Sequence, residues 1–332
     1  MKEKVIIFGG SGFIGYHFAK YILENNLYKK IILVDISMPR QGLKMNSEKV
    51  EYLIHDVRKP INKINVLSSP DLICNFAAIH REPGHEGYEY YETNIKGAEN
   101  ICAFAENEKC NDLIFTSSIA PYGLSENERD EKSLTNPNSP YGGSKLVAEK
   151  IHEIWQTKNV MNNILIVRPG VVFGPEEGGN VSRMIKAVKK GYFFYMGNKK
   201  TRKAGIYVKE LCNAIWWIHE KNILLKKNYS LHNLSMNPGP SIEEYVKAIK
   251  YVTQTKKLVP SVPYYFLLIA SHVIDIFAKP FGINHPFSAV RIKKLVRSNN
   301  ILPKELEKDG YRYRYSLIEA FEDWKKDYPE EW

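Results

Sequence analysis

A short apolar run, VIIF at 5–8, breaks at once into GGSGFIG and then into the amphipathic pattern FIGYHFAKYIL. No other feature limits the fold as much. Gly9, Gly12 and Gly15 each have a physical use at a strand–loop–helix junction. The first turns the chain tightly out of the strand, the second lets backbone amides approach a pyrophosphate, and the third lets the helix pack close to the sheet. The free N–H groups and positive dipole end of that helix then face the phosphates. Phe13 and Ile14, between the second and third glycines, are grouped with them as cofactor contacts. The loop predicts a dinucleotide site at the carboxyl end of a first strand.

Twenty residues after Gly15, Asp35 closes a second apolar run, IILVD. A carboxylate there accepts both hydroxyls of an adenosine ribose and repels a 2′-phosphate, so the cofactor reads as NAD. A strand-end Asp can also merely cap a turn, and Arg40, five residues on, leaves room for NADP.

Strand-like runs recur at 50–54, 72–76, 113–117 and 164–167, with helical patterns at 13–26, 88–109 and 140–158. That alternation predicts an α/β fold, a Rossmann-like doubly wound parallel sheet covered on both faces. After about residue 170 helical patterns dominate, at 180–191, 209–221, 241–252, 263–279, 287–297 and 316–327. We expect a cofactor-binding domain over 1–170 and a smaller, mostly helical substrate-binding lobe over 171–332. Residues 204–235 return to the first domain, since 206–208 and 229–234 look like strands.

Composition excludes several classes. Apolar residues make up 44% and charged residues 25% of 332, as in ordinary globular chains. The four cysteines, 74, 102, 110 and 212, lack metal-ligand or disulfide-framework spacing, so no metal is expected and a reducing cytoplasm suits them. The net charge is +10, but the lysines read as dispersed, without a basic block interleaved with aromatics, which speaks against nucleic acid. A diphosphate-bearing substrate profits from such a field. The apolar stretch 264–281 is too short to span a bilayer. Its length favours a buried helix; the alternative is a helix lying on a membrane surface.

SPYGGSKLVAE, 139–149, places Tyr141 and Lys145 four residues apart on one helix face. A phenol titrates near ~10. A neighbouring ammonium and an oxidised nicotinamide ring stabilise the phenolate, which then takes a proton from a substrate hydroxyl while hydride leaves the same carbon. YxxxK alone is more often a surface helix. Here it follows a dinucleotide loop, and Ser118 in FTSSIAPYG ends a strand, where ligands sit in such sheets.

Together, Gly9/Gly12/Gly15, Asp35, HDVR with Asp56, NFAA (75–78), YETN with Asn94, Ser118 and Tyr141/Lys145 resemble the NAD-dependent epimerase/dehydratase family of extended short-chain dehydrogenases. RPGVVFGP (168–175), GIYVKEL (205–211) and the closing stretch extend the likeness through most of the chain. The resemblance implies a nucleotide-sugar substrate, Ser118, Tyr141 and Lys145 as the catalytic set, and a homodimer through helices 88–109 and 140–158. It also implies Asp56 and Val57 beside the adenine, Ala77, Ala78, His80 and Asn94 near the middle of the cofactor, and Pro169 by the nicotinamide. Asn180, Lys203 and Arg291 fall where the family contacts the diphosphate.

Within that family, the residues after Ser118 are Ile119 and Ala120, without the carboxylate that the dehydratases and decarboxylases carry there. Glu176, not His, follows Pro175, which removes the second acid–base pair of the carbon-3/5 epimerases. A tyrosine-only site fits oxidation and reduction at one carbon. The expected activity is 4-epimerisation of a UDP-hexose or UDP-N-acetylhexosamine, with hydride returned to the opposite face of a 4-keto intermediate. Val171, where UDP-galactose 4-epimerases carry Asn, keeps a dehydrogenase or ketoreductase open, and a non-catalytic NAD sensor is the third reading. In the loop HREPGHEGYEYYETN (80–94), His80 or Arg81 is read as touching the sugar or a phosphate, against the plainer reading of a polar loop tip.

Overall fold

The last four residues of the first strand, Val5, Ile6, Ile7 and Phe8, are all fully buried. A strand with no polar side chain to turn toward water needs a cover on both faces, and this one receives it. The computed structural model describes residues 2–40, 43–62, 67–81, 84–269, 274 and 298–332.

Thirteen strands and eight helices are named among those residues. The strands are β1 (Lys2–Phe8), β2 (Tyr28–Asp35), β3 (Val50–Ile54), β4 (Leu72–Asn75), β5 (Asp112–Thr116), β6 (Ser125–Arg129), β7 (Asn163–Pro169), β8 (Val171–Phe173), β9 (Tyr195–Met196), β10 (Gly205–Tyr207), β11 (Tyr229–Leu234), β12 (Ser261–Val262) and β13 (Asn299–Ile301). The helices are α1 (Phe13–Glu24), α2 (Gly87–Asn107), α3 (Pro140–Thr157), α4 (Asn180–Lys190), α5 (Val208–Leu225), α6 (Ile242–Thr253), α7 (Lys304–Lys308) and α8 (Leu317–Asp327).

Seven strands form one parallel sheet in the order β3-β2-β1-β4-β5-β7-β11. Side chains alternate across it as the strand period requires. Ile6 and Phe8 join the core under α2 and α3, and Val5 and Ile7 the core under α1 and α5. The second core continues without a break into the C-terminal lobe. There Phe173, Tyr207, Tyr245, Phe321, Trp324 and Trp332 pack ring on ring, and α6 packs on α4 and α8. Strand order reverses between β1 and β4, the point at which such sheets open a crevice at their carboxyl edge.

Two expectations change. The sequence of IYV (206–208) predicts a strand returning to the main sheet. It instead pairs as β10 with β8 in a separate two-stranded ribbon, because its hydrogen-bonding edge meets the chain just leaving β7. By its length, the stretch 264–281 predicts a buried helix. Its described part, 264–269, is helical and buries Leu267, but leaves Tyr265, Phe266 and Ile269 exposed. Apart from the exposed Ile274, the rest of that stretch lies outside the described residues, as do 287–297 and Arg291.

Candidate active site

The glycine loop is built by backbone contacts that tolerate no side chain. Gly9 donates to the Val34 carbonyl at 2.8 Å and takes φ +77°, a region L-residues avoid. A Cβ on Gly15 would lie 2.2 Å from the Gly9 carbonyl oxygen, so only glycine lets α1 start this close to β1. Over Gly12, the N-terminal boundary of α1, a Cβ would meet only that carbonyl, so the space above the loop stays open. Asp35 closes the loop from the end of β2, accepting from the amides of Ser11 at 3.0 Å and Ile36 at 2.8 Å. Burial pushes its pKa up, and those amides oppose the rise. An open cradle of amides beside a strand-end carboxylate fits a dinucleotide.

On the far side of the switch point, Ala77 and Ala78 follow β4, with the Phe76–Ala77 backbone against Gly9. Asn94 of α2 is buried. Its side chain accepts from the Ile79 amide at 3.0 Å and donates to the Ile79 carbonyl at 3.2 Å and to Ser144 Oγ at 2.9 Å. Ser144 in turn donates to the Tyr141 carbonyl at 2.9 Å. Asn94 thus ties the loop after β4 to the first turn of α3. Asp56 is held by Arg58 through a two-pronged ion pair, 2.7 Å at its shortest, which lowers its pKa. Val57 is buried against Gly97.

The tyrosine–lysine pair is set by the start of α3. Ser139 caps the helix from Oγ to the Gly142 amide at 3.2 Å, with Pro140 in the first turn. Tyr141 therefore sits half-buried at the helix mouth, with its ring 6.2 Å from that of Tyr90. One turn on, Lys145 is buried; its Nζ donates to the Thr116 carbonyl at 2.8 Å and lies 4.8 Å from the centre of the Phe115 ring. Burial pulls its pKa down to about 7, and the Glu149 carboxylate works against that fall. Ser118 lies in the loop just past β5, where its Oγ accepts from the Ala120 amide at 3.1 Å. That turn abuts α3 closely: a Cβ on Gly142 would lie 2.7 Å from the Ala120 carbonyl oxygen. Pro169, at the end of β7, anchors the same loop by accepting from the Ile119 amide at 3.2 Å.

The structure therefore brings Gly9, Gly12, Gly15, Asp35, Ala77, Ala78, Asn94, Ser118, Tyr141, Lys145 and Pro169 to one edge of the sheet. His80 sits at the exposed rim beside Arg81. The protein around it holds its imidazole below the usual pKa, and the Lys145 charge adds to this. Asn180 is exposed in the first turn of α4, near enough to Arg183 for a 3.4 Å contact. Lys203 is fixed by its backbone, which bridges to Asn299 and donates to the Pro240 carbonyl at 2.9 Å. Sequence reasoning missed the support beneath the pair. Glu149, fully buried, accepts two hydrogen bonds from Arg168 and one from Ser117. The signal was present in SKLVAE, one helical turn past Lys145. Among the described residues no cluster of His, Cys, Asp and Glu could hold a metal ion.

Fold and site define an α/β enzyme of the dinucleotide-dependent short-chain dehydrogenase type. The chain belongs to the NAD dependent epimerase/dehydratase family, whose model matches residues 5–231. It is 27% identical over 97% of its length, and 94% of the other's, to an N-acetyl-α-D-glucosaminyl-diphospho-ditrans,octacis-undecaprenol 4-epimerase of Escherichia coli O157:H7. It is 27% identical to a UDP-glucose 4-epimerase of Mycoplasma genitalium, over 77% of this chain and 83% of that one. A solved UDP-N-acetylglucosamine 4-epimerase from Methanobrevibacter ruminantium M1 superposes with a TM-score of 0.76 at 20% identity, covering 99% of this chain and 100% of that one. A Bacillus cereus UDP-glucuronic acid 4-epimerase, solved in complex with NAD, does so at 0.73 and 19%, covering 98% and 99%.

Proposed function

We propose that the protein is a sugar 4-epimerase that takes its sugar on a diphosphate, a UDP-hexose or UDP-N-acetylhexosamine, with NAD as resident cofactor. The observation that carries the reading is the placement of Tyr141 at the open end of α3, with the Lys145 ammonium buried one turn behind it and the Ser118 turn packed against it. Gly9, Gly12, Gly15 and Asp35 would hold the cofactor. When bound, NAD accepts hydride from the sugar carbon and gives it back.

The protein's own residues do the rest. Lys145, when protonated, lowers the cost of a phenolate at Tyr141. Tyr141 then takes the proton of the 4-hydroxyl and later returns one, while Ser118 hydrogen-bonds the same oxygen. Because Ile119 and Ala120 supply no carboxylate beside Ser118, no acid there assists elimination of water, and return of hydride to the opposite face of the same carbon remains.

A second reading keeps the chemistry and changes the carrier, placing the sugar on a polyprenyl diphosphate. It is favoured by the Escherichia coli relative, which matches 97% of the chain against 77% for the UDP-glucose 4-epimerase. The reading also carries a homodimer through α2 and α3, whose outward side chains include Tyr88, Tyr91, Val147 and Ile154.

Purified protein incubated with NAD and each UDP-sugar, and in parallel with an N-acetylhexosamine on a polyprenyl diphosphate, with products resolved by chromatography, is the test. We expect interconversion at carbon 4, and a loss of roughly a hundredfold or more in Tyr141→Phe with NAD binding kept. An unchanged rate in Tyr141→Phe removes the tyrosine from the mechanism, and turnover on neither carrier sinks the epimerase reading.

A further inference from the structure

The positive charge of this chain is not spread over its surface. Residues 180–209 carry nine Lys and Arg and no acid, and 245–269 carry four and no acid. The remaining 34 basic and 37 acidic side chains leave the rest of the molecule slightly negative. The fold places the two stretches side by side. α4 packs on α6, β9 pairs with β12, the Tyr195 amide donates to the Pro260 carbonyl at 2.8 Å, and Lys257 Nζ reaches the Lys190 carbonyl at 2.9 Å. Charge that reads as dispersed along the sequence is gathered in space. Part of it is internally matched: Glu243 and Glu244 bridge Lys199, Lys247 and Arg202, Asp323 and Asp327 hold Lys209, and Lys189 donates to the Trp332 backbone oxygen. Lys186, Lys190, Lys256 and Lys257 are exposed.

Large apolar side chains stand out of the same surface. Leu258 is 86% exposed, Tyr265 76%, Phe266 65% and Ile269 65%, with Tyr192 exposed next to the end of α4. In the short helical run 264–269 only Leu267 is buried. Among the described residues nothing covers the outer face of this turn, Tyr265, Phe266 and Ile269, and an apolar face of that kind marks an interaction surface. Exposed rings and leucine rimmed by lysines match a bilayer interface in both apolar depth and charge.

We propose that this surface, Tyr192 with 256–269 and its flanking lysines, lays the protein on an anionic lipid bilayer. The docking goes beyond the epimerase reading, yet it gives the polyprenol-linked carrier a physical route. A sugar held at the headgroup level by a membrane-embedded diphosphate reaches a soluble cleft only if that cleft is brought to the membrane.

Sedimentation with vesicles tests this without turnover. The protein should bind vesicles of phosphatidylglycerol and phosphatidylethanolamine, bind pure phosphatidylcholine weakly, and release as salt rises. Phe266→Ser/Ile269→Ser and Lys186→Glu/Lys256→Glu should each weaken binding by roughly tenfold or more, with melting temperature and turnover of a soluble UDP-sugar unchanged. Absence of binding, equal binding to neutral vesicles, or wild-type binding by both variants overturns the proposal. So does light scattering in which Phe266→Ser/Ile269→Ser splits a dimer while vesicle binding persists, since a second copy then covers the surface. Loss of UDP-sugar turnover in the unmutated protein bears on the epimerase reading alone.

Discussion

Arg168 grips Glu149 with two hydrogen bonds, Nε to Oε1 at 2.8 Å and Nη2 to Oε2 at 2.6 Å, where neither side chain meets appreciable water. The pair couples the end of β7 to the middle of α3. The same guanidinium lies 4.7 Å from the centre of the Tyr122 ring, and Tyr122 donates to Asn233 on β11 at 2.9 Å. The strand that ends at Pro169 and the helix that carries Lys145 are therefore locked together under the site.

Breaking that pair should cost far more than a surface ion pair. Glu149→Ala strands a buried guanidinium and a buried serine hydroxyl, and we expect a loss of about 3–5 kcal/mol in chemical denaturation. Replacing both partners, Glu149→Leu with Arg168→Met, should recover much of the loss, because no unpaired charge remains. A double variant no more stable than Glu149→Ala contradicts this account. Because the Glu149 charge also supports the protonated form of Lys145, Glu149→Gln should move the basic limb of the activity profile to lower pH.

Lys145 makes its own prediction in the cofactor-free protein. Burial lowers its folded pKa to about 7, while an unfolded lysine titrates near ~10.4. Between those values the unfolded chain binds the extra proton, so this group makes stability rise as pH is raised from 7 toward 10. In Lys145→Met the rise should disappear, by up to roughly 1.4 kcal/mol per pH unit, and the variant should be relatively most stable near neutral pH. Parallel urea midpoints of the two proteins from pH 6.5 to 9.5 would count against a depressed lysine.

The elements that position the site were legible because they obey local rules. VIIF, IILVD and VEYLI are apolar with turn signals at their ends, and the helices over 13–26, 88–109 and 140–158 carry amphipathic periods. Ser139 and Ser241 have the side chains helix caps need. The Asn94–Ser144–Tyr141 chain and the Glu149–Arg168 pair were not legible, since each joins residues 19 or more positions apart and no periodicity encodes such a contact. The pairing of β6 with β13 joins Ser125–Arg129 to Asn299–Ile301, and the polar SENER has no strand pattern at all. The basic surface is hidden in the sequence for the same reason, since two stretches 36 residues apart become neighbours only through β9 and β12.

Acid should unfold the protein early. His17 and His152 have pKa values lowered by burial to about 4, and His219 to about 3. His232 is lowered to about 4 by burial despite Asp309 at 3.0 Å. An unfolded histidine titrates near ~6.5, so the unfolded state takes up more protons from there down to about pH 4 and stability falls through that window. His152 stacks on Phe115 with 4.1 Å between ring centroids, and its Nδ1 lies 2.7 Å from the Ala148 carbonyl. His152→Asn should flatten the fall measurably while lowering stability at pH 8. A wild-type denaturation midpoint that holds constant from pH 6.5 to 4.5 contradicts the burial of these rings.

We propose that Asp35 sets the choice of cofactor. Its carboxylate stands at the end of β2 and accepts from Ser11 and Ile36, leaving lone pairs for a ribose while setting negative charge where a 2′-phosphate would lie. Asp35→Asn keeps an acceptor oxygen and the loop contacts but removes the charge. It should weaken NAD by roughly tenfold, as the loss of a charge-assisted hydrogen bond implies, and bring NADP toward equal affinity. In Asp35→Ala the Ser11 amide also loses its partner, so NAD should fall further and the melting temperature should drop as well. Calorimetric titration of both cofactors into the three proteins separates charge from loop support. If NADP binds the wild type as tightly as NAD, Arg40 and not Asp35 governs the pocket.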